Sequence, residues 1–527
     1  MSKNDKKRPG SQVVKVEDDE KQAVESAVDG TQTESVEYGA DKMGTIQRRI
    51  VVFSLCLAQF LYALDITIVA TALPTIARTL DATASEYAWV GSSYTLASTA
   101  LTPIWAKMSD VFGTKILLIL SSVIFMAGSL IAALSSSAKM LIVGRTFQGV
   151  GGAGLQILVT ILIGVLFRIE DRAKYYGITA AVWAVAGGLG PVLGGVFTQS
   201  LGWRWCFYIN MPFGGASLVM LVFALKIESP NLPITEGLRA VDWTGATLIV
   251  TGTILFLLGL ETGAGGSKAW GSAEVVCLIV FGVVLLGLFL LFEAKLASNP
   301  LIPTRVFSSR TNAASFAVTC LHNFVFIPCD FFIPLYCQVV VGLSPIISGV
   351  TMFAFVFPVT FATCLTGWVI KRTGNYVWPM YFGTVVTTIG IGLFIDYGVG
   401  RDWAKIIMYL VVAGIGLGPV IQVPLIALQA NTEPKDLTAA MSAMTFARTL
   451  FTSISIVVGS VILQSKLGGS SLSDLHQVRG SLGVYAAALK NMWGFYTAMS
   501  GLMIPAALLV KSKNLKRAVG LEEVTEK

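Results

Sequence analysis

Residues 50–73 read IVVFSLCLAQFLYALDITIVATAL, and Asp65 is the one charged side chain in this run. A helix of this length extends roughly 36 Å, at about 1.5 Å per residue, which is enough to cross a bilayer core of about 30 Å. Comparable apolar runs lie near 87–106, 116–135, 140–166, 175–198, 206–225, 243–262, 274–294, 312–340, 347–370, 377–397, 405–430, 440–464 and 491–511. The sequence therefore predicts an all-α membrane protein with about fourteen transmembrane helices.

The overall composition favours the same interpretation. Of 527 residues, 54% are hydrophobic and 13% are charged, and the mean hydropathy is +0.71. A soluble domain carries about 25% charged residues, so this composition excludes a water-soluble globule. The formal net charge of +7 lies at loop edges and in the tails. It indicates membrane orientation and not nucleic-acid binding.

Lys and Arg are concentrated in both tails and in the loops that follow every second span. Because basic residues near span ends stay on the cytoplasmic side, both termini are predicted to face the cytoplasm. Residues 1–45 contain few large apolar side chains, which predicts a disordered cytoplasmic tail. Residues 513–527 are predicted to form a second cytoplasmic tail.

A weak internal repeat suggests how the spans are grouped. The loops AKMSDVFG at 106–113 and GWVIKRTG at 367–374 place small, charged and Gly residues at the same offsets. Many transporters consist of two related bundles around a site at the membrane midplane. We therefore predict a six-helix bundle at 46–228, two linker helices at 229–298 and a second six-helix bundle at 299–512.

Four stretches of the first bundle carry motifs. They read LDITIVATALP at 64–74, AKMSDVFGTK at 106–115, LIVGRTFQGVGGAG at 141–154 and AGGLGPVLGG at 186–195. Together they resemble the major facilitator superfamily, in particular its fourteen-span drug:proton antiporter branch and the fungal toxin and multidrug efflux pumps in that branch. The resemblance implies the major facilitator fold, with two six-helix bundles plus two additional central helices. The segment GWRWCFYINMP at 202–212 is also similar to fungal members, and we interpret its aromatic residues as interface anchors.

Two of these motifs imply conformational roles. In the loop motif, Asp110, Gly113 and Lys115 match the family pattern, whereas Ala106 and Thr114 replace its Gly and Arg. The resemblance implies a latch in which Asp110 accepts from a helix N-terminus or a basic partner.

The stretch at 186–195 resembles the antiporter motif, which accompanies export in the family. Gly190, Gly194 and Gly195 remove bulk between helices, and Pro191 bends its helix. Ordinary helix packing explains the same residues.

Three ionisable side chains inside predicted spans are candidates for proton coupling, namely Asp65, Arg145 and Asp330. A charge in the membrane is costly unless it is paired or hydrated. Each has an alternative interpretation: a structural hydrogen bond for Asp65, snorkelling to the interface for Arg145, and a position at the outer end of a pore for Asp330.

Other polar and aromatic residues in the spans are candidates for a substrate cavity. Those we select are Gln148, Gln156, Trp183, Phe324, Gln338 and Gln422. His322 either titrates or is a packing residue. Arg448 is a further charged candidate near the cytoplasmic end of its span.

No nucleotide-binding loop, metal-ligand cluster or nucleophile elbow is present in the sequence, so we predict no enzyme, no cofactor and no metal. Energy is then expected from an ion gradient. The preferred hypothesis is a proton antiporter that exports an amphipathic toxin, secondary metabolite or drug, functional as a monomer. Its expected location is the fungal plasma membrane, with the vacuolar membrane as the alternative.

Two other functions stay open at this stage. One is a plasma-membrane or vacuolar carrier of a polar nutrient such as a basic amino acid. That function would call for more acidic residues in the spans than Asp65, Asp330 and Glu261. The other is a transporter-like receptor that senses a solute.

Overall fold

The computed structural model describes residues 43–82, 84–226, 236, 239, 241–264, 268–297, 300–302, 304–466 and 482–513, which form helices and no strand. The α-helices are α1 (Thr45–Thr79), α2 (Ala84–Phe112), α3 (Thr114–Ala133), α4 (Ala138–Leu166), α5 (Ile169–Val196), α6 (Trp205–Tyr208), α7 (Asn210–Ala224), α8 (Trp243–Ala264), α9 (Ala273–Lys295), α10 (Arg310–Val339), α11 (Pro345–Thr351), α12 (Phe353–Thr373), α13 (Val377–Leu393), α14 (Trp403–Val420), α15 (Val423–Ala430), α16 (Leu437–Lys466), α17 (Leu482–Gly501) and α18 (Met503–Leu508). A π-helical turn, Phe197–Leu201, extends α5.

Each predicted span coincides with one helix or with two consecutive helices. The pairs are α6–α7, α11–α12, α14–α15 and α17–α18. Twelve helical segments in the described part of the chain are long and apolar enough to cross a membrane. The two other predicted spans correspond to α2 and α17–α18, which are not among these twelve segments. The predicted all-α membrane fold is confirmed, and the last span begins earlier than predicted, at Leu482.

The outer surface of the helices is strongly apolar. Phe223, Phe361 and Trp378 are 74%, 67% and 72% exposed. In α9 only 17% of the most apolar stretch is buried inside the protein. A contiguous apolar surface of this kind is stable only against lipid. The molecule is therefore a multi-pass membrane protein.

The two central helices, α8 and α9, pack on each other, and α8 also contacts α2 and α16. The division into units at 46–228, 229–298 and 299–512 stays a prediction. Residues 1–42 of the predicted first tail and 514–527 of the second lie outside the described residues.

The turn between α2 and α3 depends on one glycine. Gly113 has φ +86° and ψ 138°, a conformation that a side chain makes costly. It is the N-cap of α3 and ends α2 with a sharp change of direction. This conformation explains Gly113 without any role in a latch.

We expect Gly113→Ala to lower the free energy of unfolding by about 1–3 kcal/mol, because Ala must adopt the same positive φ. The measurement is the thermal unfolding midpoint of the purified protein in nanodiscs. The matched control is Gly187→Ala in α5, where an added Cβ meets nothing within 4 Å. Equal midpoints for the two variants would contradict the strain argument.

Candidate functional site

A network of buried polar side chains surrounds Asp65 in the first half of the chain. Arg145 donates to Asp65 Oδ2, and both side chains are almost fully buried, at 2% and 0% exposure. The Gln148 Nε2 and Asn210 Nδ2 atoms donate to Asp65 Oδ1 at 2.8 and 3.0 Å. The same two amides donate to Ser129 Oγ at 2.8 and 3.1 Å. We call these five residues the polar network.

Arg145 has further partners outside the polar network. Its Nε donates to the Val90 carbonyl at 3.3 Å, and its guanidinium lies 4.5 Å from the centre of the Tyr94 ring. This cation–π contact and the hydrogen bonds replace water around the buried charge. Arg145 therefore does not snorkel to the interface.

Four helices supply the polar network, with Asp65 on α1, Ser129 on α3, Arg145 and Gln148 on α4, and Asn210 at the start of α7. Glycines in α4 let the neighbouring helices come close. A Cβ at Gly149 would lie 2.4 Å from the Tyr94 carbonyl, and one at Gly151 would lie 2.4 Å from the backbone nitrogen of Phe125. The glycine-rich motif at 141–154 thus brings the buried charge into contact with its partners.

A buried ion pair of this kind contributes little net stability, because desolvation of two charges offsets most of their attraction. Loss of one partner is different, since it leaves the other charge buried and unpaired. Removal of either side chain of the Asp65–Arg145 pair is therefore expected to be costly. The structural hydrogen bonds expected for Asp65 are present as well.

Asp330, the third candidate for proton coupling, is separate from this network. It lies half-buried in α10, and no described residue forms a hydrogen bond or ion pair with it.

His322 lies two turns before Asp330 in α10. It is buried and stacks on Phe326 with 5.7 Å between ring centroids. Neither nitrogen of the His322 ring has a hydrogen-bond partner among the described residues.

A central cavity lies between helices of the two halves. In this conformation the cavity is small, with a volume of about 60 Å³. It is lined by Gln59, Gln156, Val159, Thr160, Tyr176, Thr179, Ala180, Trp183, Ala184, Thr319, Phe326, Val359, Ile421, Gln422, Leu425, Met444, Thr445 and Arg448. No residue of this lining is acidic, and Arg448 is the one described lining residue with a charge.

Three of the six predicted cavity residues, Gln156, Trp183 and Gln422, line the central cavity. The other three lie elsewhere. Gln148 belongs to the polar network.

Phe324 instead packs its ring near those of Phe495 and Tyr496, with centroids 6.1 and 6.0 Å away. Gln338 is close to Ser348 near the end of α10, at 3.5 Å.

Contacts between α5 and the second half lie on both sides of the central cavity. At one side, Lys371 Nζ donates to Asp171 Oδ1 at 2.6 Å, and Gln429 Nε2 donates to the Tyr176 hydroxyl at 2.7 Å. At the other side, a Cβ on Gly188 would lie 2.9 Å from the Phe353 ring. The contacts along α5 thus form two layers, one toward each end of the cavity.

The three residues of the predicted latch do not form one cluster. Asp110 lies close to the side chain of Thr438 in the first turn of α16. Lys115 Nζ donates to the Val222 carbonyl at 3.0 Å, in an exposed position. Asp110 therefore connects α2 to a helix N-terminus in the second half, while Lys115 connects α3 to α7.

The residues of the antiporter motif differ in their surroundings. A Cβ on Gly190 would lie 2.0 Å from Thr67 Oγ1 and 2.7 Å from Thr67 Cβ, so α1 and α5 touch there. Gly195 has nothing within 4 Å of an added Cβ. Pro191 lies inside α5, and Gly194 is buried.

Three residues of the polar network and the cavity are not among the predicted site residues: Asn210, Ser129 and Gln59. Asn210 falls in the segment interpreted as an aromatic anchor, although a buried amide at the start of an apolar helix is a signal for a polar partner. Ser129 and Gln59 carry no such signal, because isolated Ser and Gln residues occur in many membrane helices.

Comparison with known proteins places this arrangement in a family. The family model described as Major Facilitator Superfamily matches residues 55–456. The chain belongs to the Major Facilitator Superfamily. The predicted family is confirmed, and with it the prediction of a membrane transporter in place of an enzyme.

Two relatives from this superfamily match over most of their length. The protein described as efflux pump dotC of Dothistroma septosporum (strain NZE10 / CBS 128990) is 42% identical over 504 residues, which cover 90% of this chain and 86% of the relative. The MFS-type transporter ppz2 of Metarhizium majus (strain ARSEF 297) is 40% identical over 513 residues, which cover 92% and 87%.

A solved structure shares the fold. The human organic anion transporter MFSD10 (TETRAN) has a TM-score of 0.58 to this chain at 15% sequence identity. The match covers 88% of this chain and 99% of that chain. It supports the major facilitator fold alone.

Proposed function

We propose that this superfamily member is a proton antiporter that exports an amphipathic small molecule, such as a toxin, secondary metabolite or drug, by alternating access. The observation that carries the proposal is the buried Asp65–Arg145 pair on helices that also line the central cavity. The relative named efflux pump dotC supports the direction of transport.

The polar network and the central cavity share α1 and α4. Gln59 precedes Asp65 by roughly 9 Å along α1, and Gln156 follows Arg145 by roughly 16 Å along α4. A proton on Asp65 neutralises the carboxylate and weakens its attraction to Arg145. Arg145 keeps its contacts with the Val90 carbonyl and the Tyr94 ring. The contacts between α1 and α4 then change, and so does the cavity that these helices line.

Alternating access requires the two contact layers on α5 to open in turn. The Lys371–Asp171 pair is half exposed on both sides, so it is weak and separates at little cost. The Asp110–Thr438 contact is the proposed latch at the same end, predicted to be the cytoplasmic end. We propose that the carrier is a monomer in the plasma membrane, with both termini in the cytoplasm. We also propose that Asp330 is a second proton carrier.

The test is dye transport in proteoliposomes with an imposed pH gradient. We expect amphipathic fluorescent dyes to move against the direction of proton flow, and to stop when a protonophore collapses the gradient. Liposomes without protein measure leakage, and reversal of the gradient should reverse the dye flux. Dye flux that continues unchanged after protonophore addition would reject proton coupling, and dye movement in the same direction as protons would reject antiport.

A further inference from the structure

Arg448 is the charged residue among those that line the central cavity, and no acidic residue in the described part of the chain pairs with it. Its Nε donates to Asn323 Oδ1 at 2.9 Å. In the described ranges no carboxylate lies within ion-pair distance of Arg448, in contrast to Arg145 with Asp65. A guanidinium has five N–H donors, and the four on its terminal nitrogens have no protein acceptor among the described residues.

A second unpartnered group lies in the same cavity. Gln156 is 8% exposed, and its Oε1 has no hydrogen-bond partner among the described residues. A buried polar atom of this kind is normally satisfied by protein, water or ligand. The cavity therefore presents unused cationic donors on α16 and an unused neutral acceptor on α4.

Apolar side chains form the rest of the wall around these groups. Trp183 and Phe326 lie 5.8 Å apart between ring centroids and bring α5 and α10 together. Ile421, Leu425 and Met444 continue the apolar lining. A ligand that matches this wall has an aromatic or apolar body with one anionic group and one hydrogen-bond donor.

We propose that the central cavity binds its cargo through an oxyanion, a carboxylate or phenolate, held by the terminal nitrogens of Arg448, while a hydroxyl or N–H of the cargo donates to Gln156 Oε1. This inference deepens the proposed function, on which it rests, by naming the substrate class. A charge-assisted hydrogen bond in a cavity without acidic groups favours an anion over a cation of the same shape.

The test measures equilibrium binding of three xanthene dyes by fluorescence anisotropy, with the protein in nanodiscs and empty nanodiscs as the blank. Fluorescein carries both a carboxylate and a phenolate, fluorescein methyl ester keeps only the phenolate, and rhodamine 6G is cationic. We expect Arg448→Gln to raise the Kd of fluorescein about ten- to hundred-fold and to leave rhodamine 6G binding no weaker.

Two further variants separate charge from folding. Arg448→Lys keeps a positive charge and is expected to bind fluorescein more tightly than Arg448→Gln. Arg401→Gln removes the same charge from an exposed loop and should keep the Kd of fluorescein within about two-fold of wild type. If Arg448 only holds Asn323 in place, Arg448→Gln should raise the Kd of all three dyes alike.

The ester identifies the group that Arg448 holds. If Arg448→Gln raises the Kd of the ester as much as that of fluorescein, Arg448 binds the phenolate. If the ester already binds the wild-type protein weakly, Arg448 binds the carboxylate. A fluorescein Kd in Arg448→Gln within two-fold of wild type overturns the proposal, as does a wild type that binds no fluorescein. The binding measurement needs no proton gradient, so it does not depend on the proposed antiport. Dye flux in proteoliposomes that is independent of the proton gradient would reject antiport and leave the binding result unchanged.

Discussion

Replacement of Asp65 by Asn is expected to abolish proton-driven dye export and to destabilise the protein by about 3–5 kcal/mol. The variant keeps the size of the side chain but leaves the Arg145 charge buried without a counter-charge. Arg145→Gln should have a similar effect on stability, because it leaves the Asp65 carboxylate buried without a counter-charge. Unfolding midpoints in nanodiscs and dye flux in proteoliposomes provide the two measurements.

The double variant Asp65→Asn/Arg145→Gln distinguishes a proton-coupling role from a structural one. It removes both charges and replaces the ion pair with two amides, so most of the lost stability should return. Transport should stay absent, because no group of the network can then bind and release a proton. Recovery of both stability and proton-driven export in the double variant would assign Asp65 a structural role.

Replacement of Gly190 by Ala is expected to reduce dye export at least about ten-fold and to cost about 1–3 kcal/mol of stability. The new methyl group would overlap Thr67 Oγ1 at 2.0 Å and Thr67 Cβ at 2.7 Å, and it would also lie 3.0 Å from the Ile68 nitrogen. Thr67 has a branched side chain with little freedom to turn away. Helices α1 and α5 must therefore separate.

The matched control lies in the same motif. Gly195→Ala adds the same methyl group where nothing lies within 4 Å, and it should change stability by less than about 0.5 kcal/mol and leave export near wild type. Export rates divided by the amount of folded protein give the comparison. Equal losses in the two variants would show that the motif acts through helix flexibility and not through the α1–α5 contact.

Some features of the site follow from the sequence, since they depend on local chemistry. A charge in the middle of an apolar run must find a partner or water, so residue type and position alone select Asp65 and Arg145 as candidates. The motifs at 106–115 and 186–195 indicate the family from residue types and spacing. The pairing of Asp65 with Arg145, and their distance from Asp330, could not be predicted because these residues lie on separate helices.

Gln148 and Gln156 show the limit most clearly. Both are buried amides on α4, eight residues apart, and so about 80° apart around the helix axis. One faces Asp65 and the other faces the central cavity. Nothing in the local sequence distinguishes them, because the difference comes from α1 on one side and from the second half of the chain on the other.

Local sequence is enough to predict that the chain is helical, that it resides in a membrane and where most spans lie. Lipid offers no hydrogen bonds to the backbone, so long apolar segments have no alternative to the helix. The packing of the helices determines which polar residues meet, which line the cavity and which glycine contacts Thr67. Those relations depend on helix rotation and on close packing between segments that are far apart in the chain.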